Sequence, residues 1–304
     1  MRWMVQGRPL IDESDGHRGR PLVMGILNVT PDSFADGGRH LDPSAALDHA
    51  LRLLEEGADL IDLGGESSRP GAEPVPLEVE WNRVAPVLER LIEHRHPRDH
   101  RSVVVSIDTT KPEVARRALE SGVAIVNDIG GFRDPAMLDL LARAPGEPGA
   151  IAMHMRGQPR TMQHDPVYTE VVAEVGDFLA QRLDALEAAG IARERVSLDP
   201  GVGFGKTLDH NLALLRRLPE LTARLERPLL IGTSRKSMLG RLTGRDVNDR
   251  LPASIASALA AAFGGARILR VHDVAATVDA LTVWEAQVGW NSLPTSSSPP
   301  YSIH

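Results

Sequence analysis

The chain contains no cysteine. That absence excludes disulfides, thiol catalysis and thiolate metal sites together. No apolar run reaches membrane-spanning length, and the first residues lack the apolar core of a signal peptide. The expectation is a soluble, cytoplasmic protein with no membrane partner. Positive charge is also short. Against 41 Asp and Glu the chain carries 34 Lys and Arg, for a formal net charge of −7. That balance argues against nucleic acid as a partner. Histidine pairs at metal-ligand spacing are missing too. There is no HExxH helix, and His94, His96 and His100 read as a solvated surface cluster. Lysine is scarce: only Lys111, Lys206 and Lys236 occur, each just beyond an expected strand end. In a chain that otherwise uses Arg, a Lys points to a need for a compact ammonium rather than a guanidinium fork.

What is present starts with the stretch from Met24 to Gly38. Leu22 to Leu27 is an apolar run of strand length. It turns polar at Asn28, and Pro31 cannot continue a ladder. Further apolar strands are expected at 60–63, 103–107, 124–126, 150–153, 196–198, 229–231 and 268–271. Helical patterns follow each: 44–55, 77–93, one opened by Pro112, one after Asp134-Pro135, 168–189, 208–218, 252–263 and 273–288. Gly57 and Gly190 mark helix stops.

Near-continuous apolar strands are buried on both faces, which requires a parallel sheet. Eight βα units fit a closed (β/α)8 TIM barrel in one domain, with a doubly wound open sheet as the alternative. The expected division is 1–20 as an N-terminal segment, 21–290 as the barrel and 291–304 as a disordered tail rich in Ser and Pro. Trp3–Val5 and Leu10–Ile11 are expected to pair as a short hairpin. In a barrel, Asn28, Asp62, Asp108, Asn127, His154, Asp199, Lys236 and Arg270 converge on the C-terminal face, where such enzymes keep their chemistry. One polar residue after a strand is an ordinary helix cap; eight in register point to a site.

Asp199-Pro200-Gly201-Val202-Gly203-Phe204-Gly205-Lys206 is neither a P-loop nor a dinucleotide fingerprint, because its glycine spacing fits neither. Its glycines let a flat ligand approach the backbone, with Asp199 at the ligand's edge and Phe204 on its flank. Asp108, Asn127 and Asp199 supply acceptors at three strand ends. They suit a planar heterocycle with an amino-amidine edge, since a carboxylate accepts two parallel N–H bonds. Ser68, Arg69, Arg270 and His272, with Asn28, suggest an anion site, Arg being the residue for bidentate phosphate contact.

Taken in order, Asn28-Val29-Thr30-Pro31-Asp32-Ser33-Phe34, Gly64-Gly65-Glu66-Ser67-Ser68-Arg69-Pro70-Gly71, Ser106-Ile107-Asp108, Asn127-Asp128-Ile129, Met153-His154-Met155, Asp199-Pro200-Gly201, Ser234-Arg235-Lys236 and Arg270-Val271-His272-Asp273 resemble the dihydropteroate synthases. The resemblance runs from about Leu22 to Val288. It implies a (β/α)8 barrel that joins 6-hydroxymethyl-7,8-dihydropterin pyrophosphate to p-aminobenzoate, with release of pyrophosphate, in folate synthesis. It also implies a homodimer, sulfonamides as inhibitors of the family, and Mg²⁺ held by Asn28.

By the same resemblance Asp108, Asn127, Asp199 and Lys236 hold the pterin, with Met153, Gly232 and Asp62 beside them. Ser68, Arg69, Arg270 and His272 hold pyrophosphate. Ser234, Pro70, Phe34, Phe204 and Arg69 frame p-aminobenzoate. Asn28, Arg69, Lys236, Arg270, His272 and Asp36 are the residues expected to act in catalysis. Ser68 stands where Thr is common and keeps the hydroxyl; Ala35 stands where Ser is common and loses it. Two alternatives stay open: a folate:corrinoid methyltransferase and a non-catalytic paralogue.

Overall fold

The computed structural model describes residues 1–30, 35–36, 40–69 and 71–290, and of 35–36 and 40–41 only the strand pairing. Phe34, Pro70, the Asp36 side chain and the tail at 291–304 therefore lie outside the described residues. The chain opens with an antiparallel hairpin, β1 (Arg2–Val5) and β2 (Arg8–Asp12). Its turn takes φ of 49° at Gln6 and 71° at Gly7. Successive positive φ values match the turn to the strands' own twist.

The strands that follow are β3 (Leu22–Asn28), the short pair β4 (Ala35–Asp36) and β5 (His40–Leu41), then β6 (Leu60–Gly64), β7 (Val105–Asp108), β8 (Ile125–Asp128), β9 (Gly149–Met153), β10 (Val196–Asp199), β11 (Leu230–Ile231) and β12 (Ile268–Val271). Eight of them form one parallel sheet in the order β10-β9-β8-β7-β6-β3-β12-β11. A parallel bridge between Leu198 and Leu229 joins its two ends, and the Leu198 amide donates to the Pro228 carbonyl at 3.0 Å. The sheet is a closed barrel. Every residue of β6 through β10 is buried, as expected for strands with helices outside and packed side chains inside.

Ten α-helices surround it among the described residues: α1 (Pro43–Glu55), α2 (Leu77–Ile92), α3 (Pro112–Glu120), α4 (Pro135–Arg143), α5 (Val171–Ala188), α6 (Leu208–Arg216), α7 (Leu218–Leu225), α8 (Ser237–Thr243), α9 (Leu251–Phe263) and α10 (Val274–Gln287). Side-chain caps fix several starts. Asp42 accepts from Ser44, Asp134 from Ala136, and Thr207 with His210 forms a reciprocal capping box. The helix expected over 208–218 is α6, and a second helix that was not expected, α7, follows it directly. Pro219 lacks an amide hydrogen, so it is accommodated in the first turn of a new helix, α7, and the chain bends at Arg217. Helix α8 was not expected; Gly244, at φ 70°, ends it.

The hairpin closes the bottom of the barrel. Trp3, Val5 and Ile11 are buried against Met24, Leu60, Ile125, Ile151, Leu230 and Ile268. The Trp3 indole donates to the Arg195 carbonyl at 3.1 Å, so its polar atom is satisfied inside the plug. With that end filled, the C-terminal face is the open one. The histidine cluster is also different from the expectation. His96 is buried, with Nε2 2.8 Å from the Ala58 carbonyl, and so is a structural contact rather than a solvated side chain.

Candidate active site

The C-terminal mouth is built on a carboxylate–guanidinium bridge. Asp62, in the middle of β6, is fully buried. Arg270 on β12 donates through Nε to Asp62 at 2.6 Å and through Nη2 to Asp108 at 2.8 Å. The Asn127 amide nitrogen lies 3.1 and 3.3 Å from the two Asp62 oxygens. That contact fixes which end of the amide is which: the nitrogen is held by Asp62, and the oxygen is left as an acceptor. Asp108 and Asn127 are register partners on adjacent strands. Two acceptors thus stand side by side at the mouth.

Electrostatics sort these groups. Burial pushes the Asp108 carboxyl up to about 7, against the opposing pull of Arg270, and the charges of Asp62 and Glu80 add to the rise. Burial alone would lower Arg270, but Asp62 and Asp108 more than offset it, and its affinity for the proton is raised. Arg270 therefore stays charged, and the carboxyl beside it titrates near neutrality.

The second acceptor group follows β10. Asp199 takes the Gly201 amide at 2.7 Å, and burial raises its carboxyl despite Lys236 nearby. Beyond it, φ is positive at every second residue: 66° at Gly201, 86° at Gly203 and 64° at Gly205. At Gly201 a Cβ would stand 1.9 Å from the His154 carbonyl oxygen, so nothing larger fits. This alternation turns successive carbonyls outward, and each finds a side-chain donor. Lys206 serves Gly201 at 2.9 Å and Phe204 at 3.0 Å, Lys236 serves Val202, Gln163 serves Gly203 at 2.5 Å, and Tyr168 serves Gly205 at 2.9 Å.

Lys236 is the N-cap of α8 and lies over the Phe204 ring, 4.8 Å from its centroid. Burial lowers its ammonium to about 8, with Asp199 opposing. Met153 ends β9 and packs with Ile129, Met155, Met162 and Phe204 as an apolar flank. Gly232 follows β11; a Cβ there would meet Arg270 at 3.6 Å and the Lys236 nitrogen at 3.9 Å.

The rim carries the remaining residues. The His272 Nδ1 is 3.1 Å from the Ser234 hydroxyl, which also takes the His272 amide at 3.2 Å. Burial lowers the imidazole to about 4, and Arg270, Arg235 and Arg69 lower it further. Arg69 is exposed and Ser68 half-buried on the segment after β6. Lys111 holds that segment from below by bonding both Glu66 and the buried Glu80. His154 turns away from the mouth toward Lys206, its Nδ1 2.9 Å from the ammonium, rather than converging with the other strand-end residues.

Among the described residues no group of three or more His, Asp and Glu side chains could hold a metal ion. The Asn28 amide oxygen stands at the mouth, 3.5 Å from where a Cβ on Gly64 would lie. A single hard oxygen donor fits Mg²⁺, which keeps several waters and takes few protein ligands. Sequence reasoning missed the supporting contacts made by Lys111, Glu80, Gln163, Tyr168 and Lys206. Lysine scarcity was the one signal for two of them.

The model of a family described as pterin binding enzymes matches residues 24–272. A dihydropteroate synthase of Neisseria meningitidis serogroup C is 49% identical over 270 residues, covering 88% of this chain and 93% of that protein. The dihydropteroate synthase of Xanthomonas albilineans with 4-aminobenzoic acid is 51% identical, with a TM-score of 0.80 and coverage of 88% and 93%. The same enzyme with 7,8-dihydropteroate gives 48% identity and a TM-score of 0.77 over the same shares.

The glycine turn gives a controlled test. Gly244 has φ of 70° with open space around it, and Gly201 has φ of 66° with a carbonyl at 1.9 Å. Gly244→Ala should cost about 1 kcal/mol, the strain of a left-handed residue. Gly201→Ala should lose clearly more in urea unfolding. Equal losses would show that the close approach to His154 carries no weight.

Proposed function

The chain belongs to the dihydropteroate synthase family of pterin-binding enzymes, and from that premise we infer how its residues divide the work. The activity is that of a transferase in folate synthesis. The carbon–oxygen bond between the pterin methylene and pyrophosphate breaks, the nitrogen of p-aminobenzoate bonds to that methylene, and the amine gives up a proton. The assignment of roles is supported by three acceptors at strand ends of the mouth, Asp108, Asn127 and Asp199, with the Lys236 ammonium beside Asp199.

In our reading the carboxylates of Asp108 and Asp199 and the oxygen of Asn127 accept N–H bonds from the pterin edge. Lys236 donates to its carbonyl and ring nitrogen. Asp62 acts underneath, by fixing the Asn127 amide and anchoring Arg270. As the leaving group departs, negative charge grows between Arg270 in the mouth and Arg69 and His272 on the rim. Preorganised charge of opposite sign is the largest lever available for such a step. An arriving pyrophosphate also raises the proton affinity of His272.

Asn28 would hold Mg²⁺, which when bound supplies charge neutralisation for the pyrophosphate oxygens. Met153 and Phe204 flank the flat rings, and Gly232 leaves room beside Lys236. Ser234 and Arg69, with Phe34 and Pro70, frame p-aminobenzoate, and Asp36 comes from the segment that follows β3. The amine nucleophile needs little activation, so no general base is assigned. A cytoplasmic homodimer belongs to the same reading. Among the described residues no helix is long and apolar enough to cross a membrane.

The direct test is incubation with the pterin pyrophosphate, Mg²⁺ and p-aminobenzoate, followed by mass spectrometry. Dihydropteroate is expected, and its absence from active-concentration enzyme would overturn the reading. A pH test addresses Asp108. Its ionised form accepts the pterin N–H, and its carboxyl is pushed up to about 7 by burial. Protons and pterin therefore compete, so affinity should fall as pH is lowered from about 7.5 to about 6. In Asp108→Asn, binding should be weak and flat over this window. A wild-type affinity independent of pH would contradict the role given to Asp108.

A further inference from the structure

The reading above gives no role to the buried cation beside the glycine turn. Lys206 is only 3% exposed, and it does not face the mouth. Its ammonium lies 2.9 Å from His154 Nδ1, 2.9 Å from the Gly201 carbonyl and 3.0 Å from the Phe204 carbonyl, with the His154 carbonyl at 3.5 Å. We propose that Lys206 is a positioning residue for the pterin site: its ammonium holds residues 201–205 in the shape that presents the Val202 carbonyl and the Phe204 ring to Lys236. The proposal rests on the pterin reading and extends it.

The donor count supports this. An ammonium has three N–H groups and no acceptor, and three acceptors lie within 3.0 Å. His154 Nδ1 must therefore accept, which places the ring proton on Nε2. The ring is neutral: burial first, then Lys206, pushes it down to about 2. A neutral imidazole is the form that can serve Lys206 as an acceptor. Burial lowers the Lys206 ammonium to about 7, Asp199 opposes that fall, and Lys236 and Arg156 add to it; the three close acceptors are what the charged form satisfies.

The contacts also explain why the residue is Lys. Its acceptors surround the nitrogen and come from two chain segments, the exit of β9 at His154 and both ends of the glycine turn. A point charge with three radial donors meets them, whereas a planar guanidinium presents its donors as a fork. The turn has no apolar anchor of its own beyond Val202 and Phe204. Without Lys206 the Phe204 carbonyl loses its donor, and the Gly201 carbonyl keeps only the Phe204 amide at 3.1 Å. The turn can then relax, and Lys236 loses the carbonyl and the ring that fix its position.

The lack of cysteine makes a clean test available. Lys206→Cys introduces a single thiol, which can be alkylated in denaturant before refolding. Aminoethylation restores an ammonium at lysine length; ethylation gives the same stem without the nitrogen. Wild type is carried through the same cycle, and binding of the pterin pyrophosphate is measured by calorimetry. The ethylated protein should bind about tenfold more weakly, as expected when one carbonyl of the turn is left unpaired and a second is weakened, and the aminoethylated protein should recover wild-type affinity.

Wild-type affinity in the ethylated protein, or no recovery in a folded aminoethylated one, would overturn the proposal. Wild type that fails to bind the pterin would overturn the pterin reading and this inference with it, so the two failures are distinct. A natively expressed Lys206→Arg gives an answer without refolding. KM for the pterin substrate should rise severalfold while kcat stays close to wild type; an unchanged KM, or a loss confined to kcat, would count against positioning.

Discussion

The bridge from Arg270 to Asp62 and Asp108 is the interaction on which the rest of the mouth depends. Arg270 comes from β12, and its partners stand on β6 and β7, beyond the intervening β3. One side chain therefore crosses the barrel and ties the strand that brings the guanidinium to the strands that bring the carboxylates. Taking these charges out of water is expensive, and only close, multiple hydrogen bonds make it tolerable. Here the guanidinium is bound by two carboxylates, one of which also holds an amide. Removing Arg270 would leave Asp108 buried without that partner, and removing Asp62 would release both Arg270 Nε and the Asn127 amide. The same bridge leaves a group that titrates near neutrality, because burial outweighs Arg270 at Asp108.

Around this centre the site divides into a floor and a rim. The floor is rigid because it is made of strand ends and of a turn whose carbonyls are each bonded to a side chain. The rim is made of Ser68, Arg69, Ser234 and His272, together with segments outside the described residues. In the proposed reading the floor takes the flat ring and the rim its leaving group, so binding and most of the charge stabilisation fall on different elements. That separation suits an enzyme whose main work is electrostatic.

Much of the architecture was legible because burial writes itself into sequence. Strands covered on both faces read as short apolar runs, and the polar residue that ends each one marks the mouth. What was not legible involves backbone partners. His96 looked like a surface residue because its acceptor, the Ala58 carbonyl, carries no sequence signal. The contacts of Lys206 are hidden for the same reason; only the rarity of lysine pointed to it. Asp62 and Asp108 both read as carboxylates of the mouth, but only the register shows that one lies beneath and the other at the edge. The end of α6 did have a signal, Pro219, and the helix read from the sequence stops just before it; what carried no separate signal is that the chain turns straight into α7.

The claim at the centre of this account is that the acceptors of the pterin are held in place by Asp62, which touches no ligand itself. Calorimetric titration of the pterin pyrophosphate into Asp62→Asn measures this most directly. The substitution keeps the volume but loses the charge that holds Arg270 and one of the two oxygens that orient Asn127. Affinity is expected to fall about tenfold or more, consistent with about 1–3 kcal/mol for a disrupted buried contact, in a protein that still unfolds cooperatively. Wild-type affinity in a folded Asp62→Asn protein would contradict it.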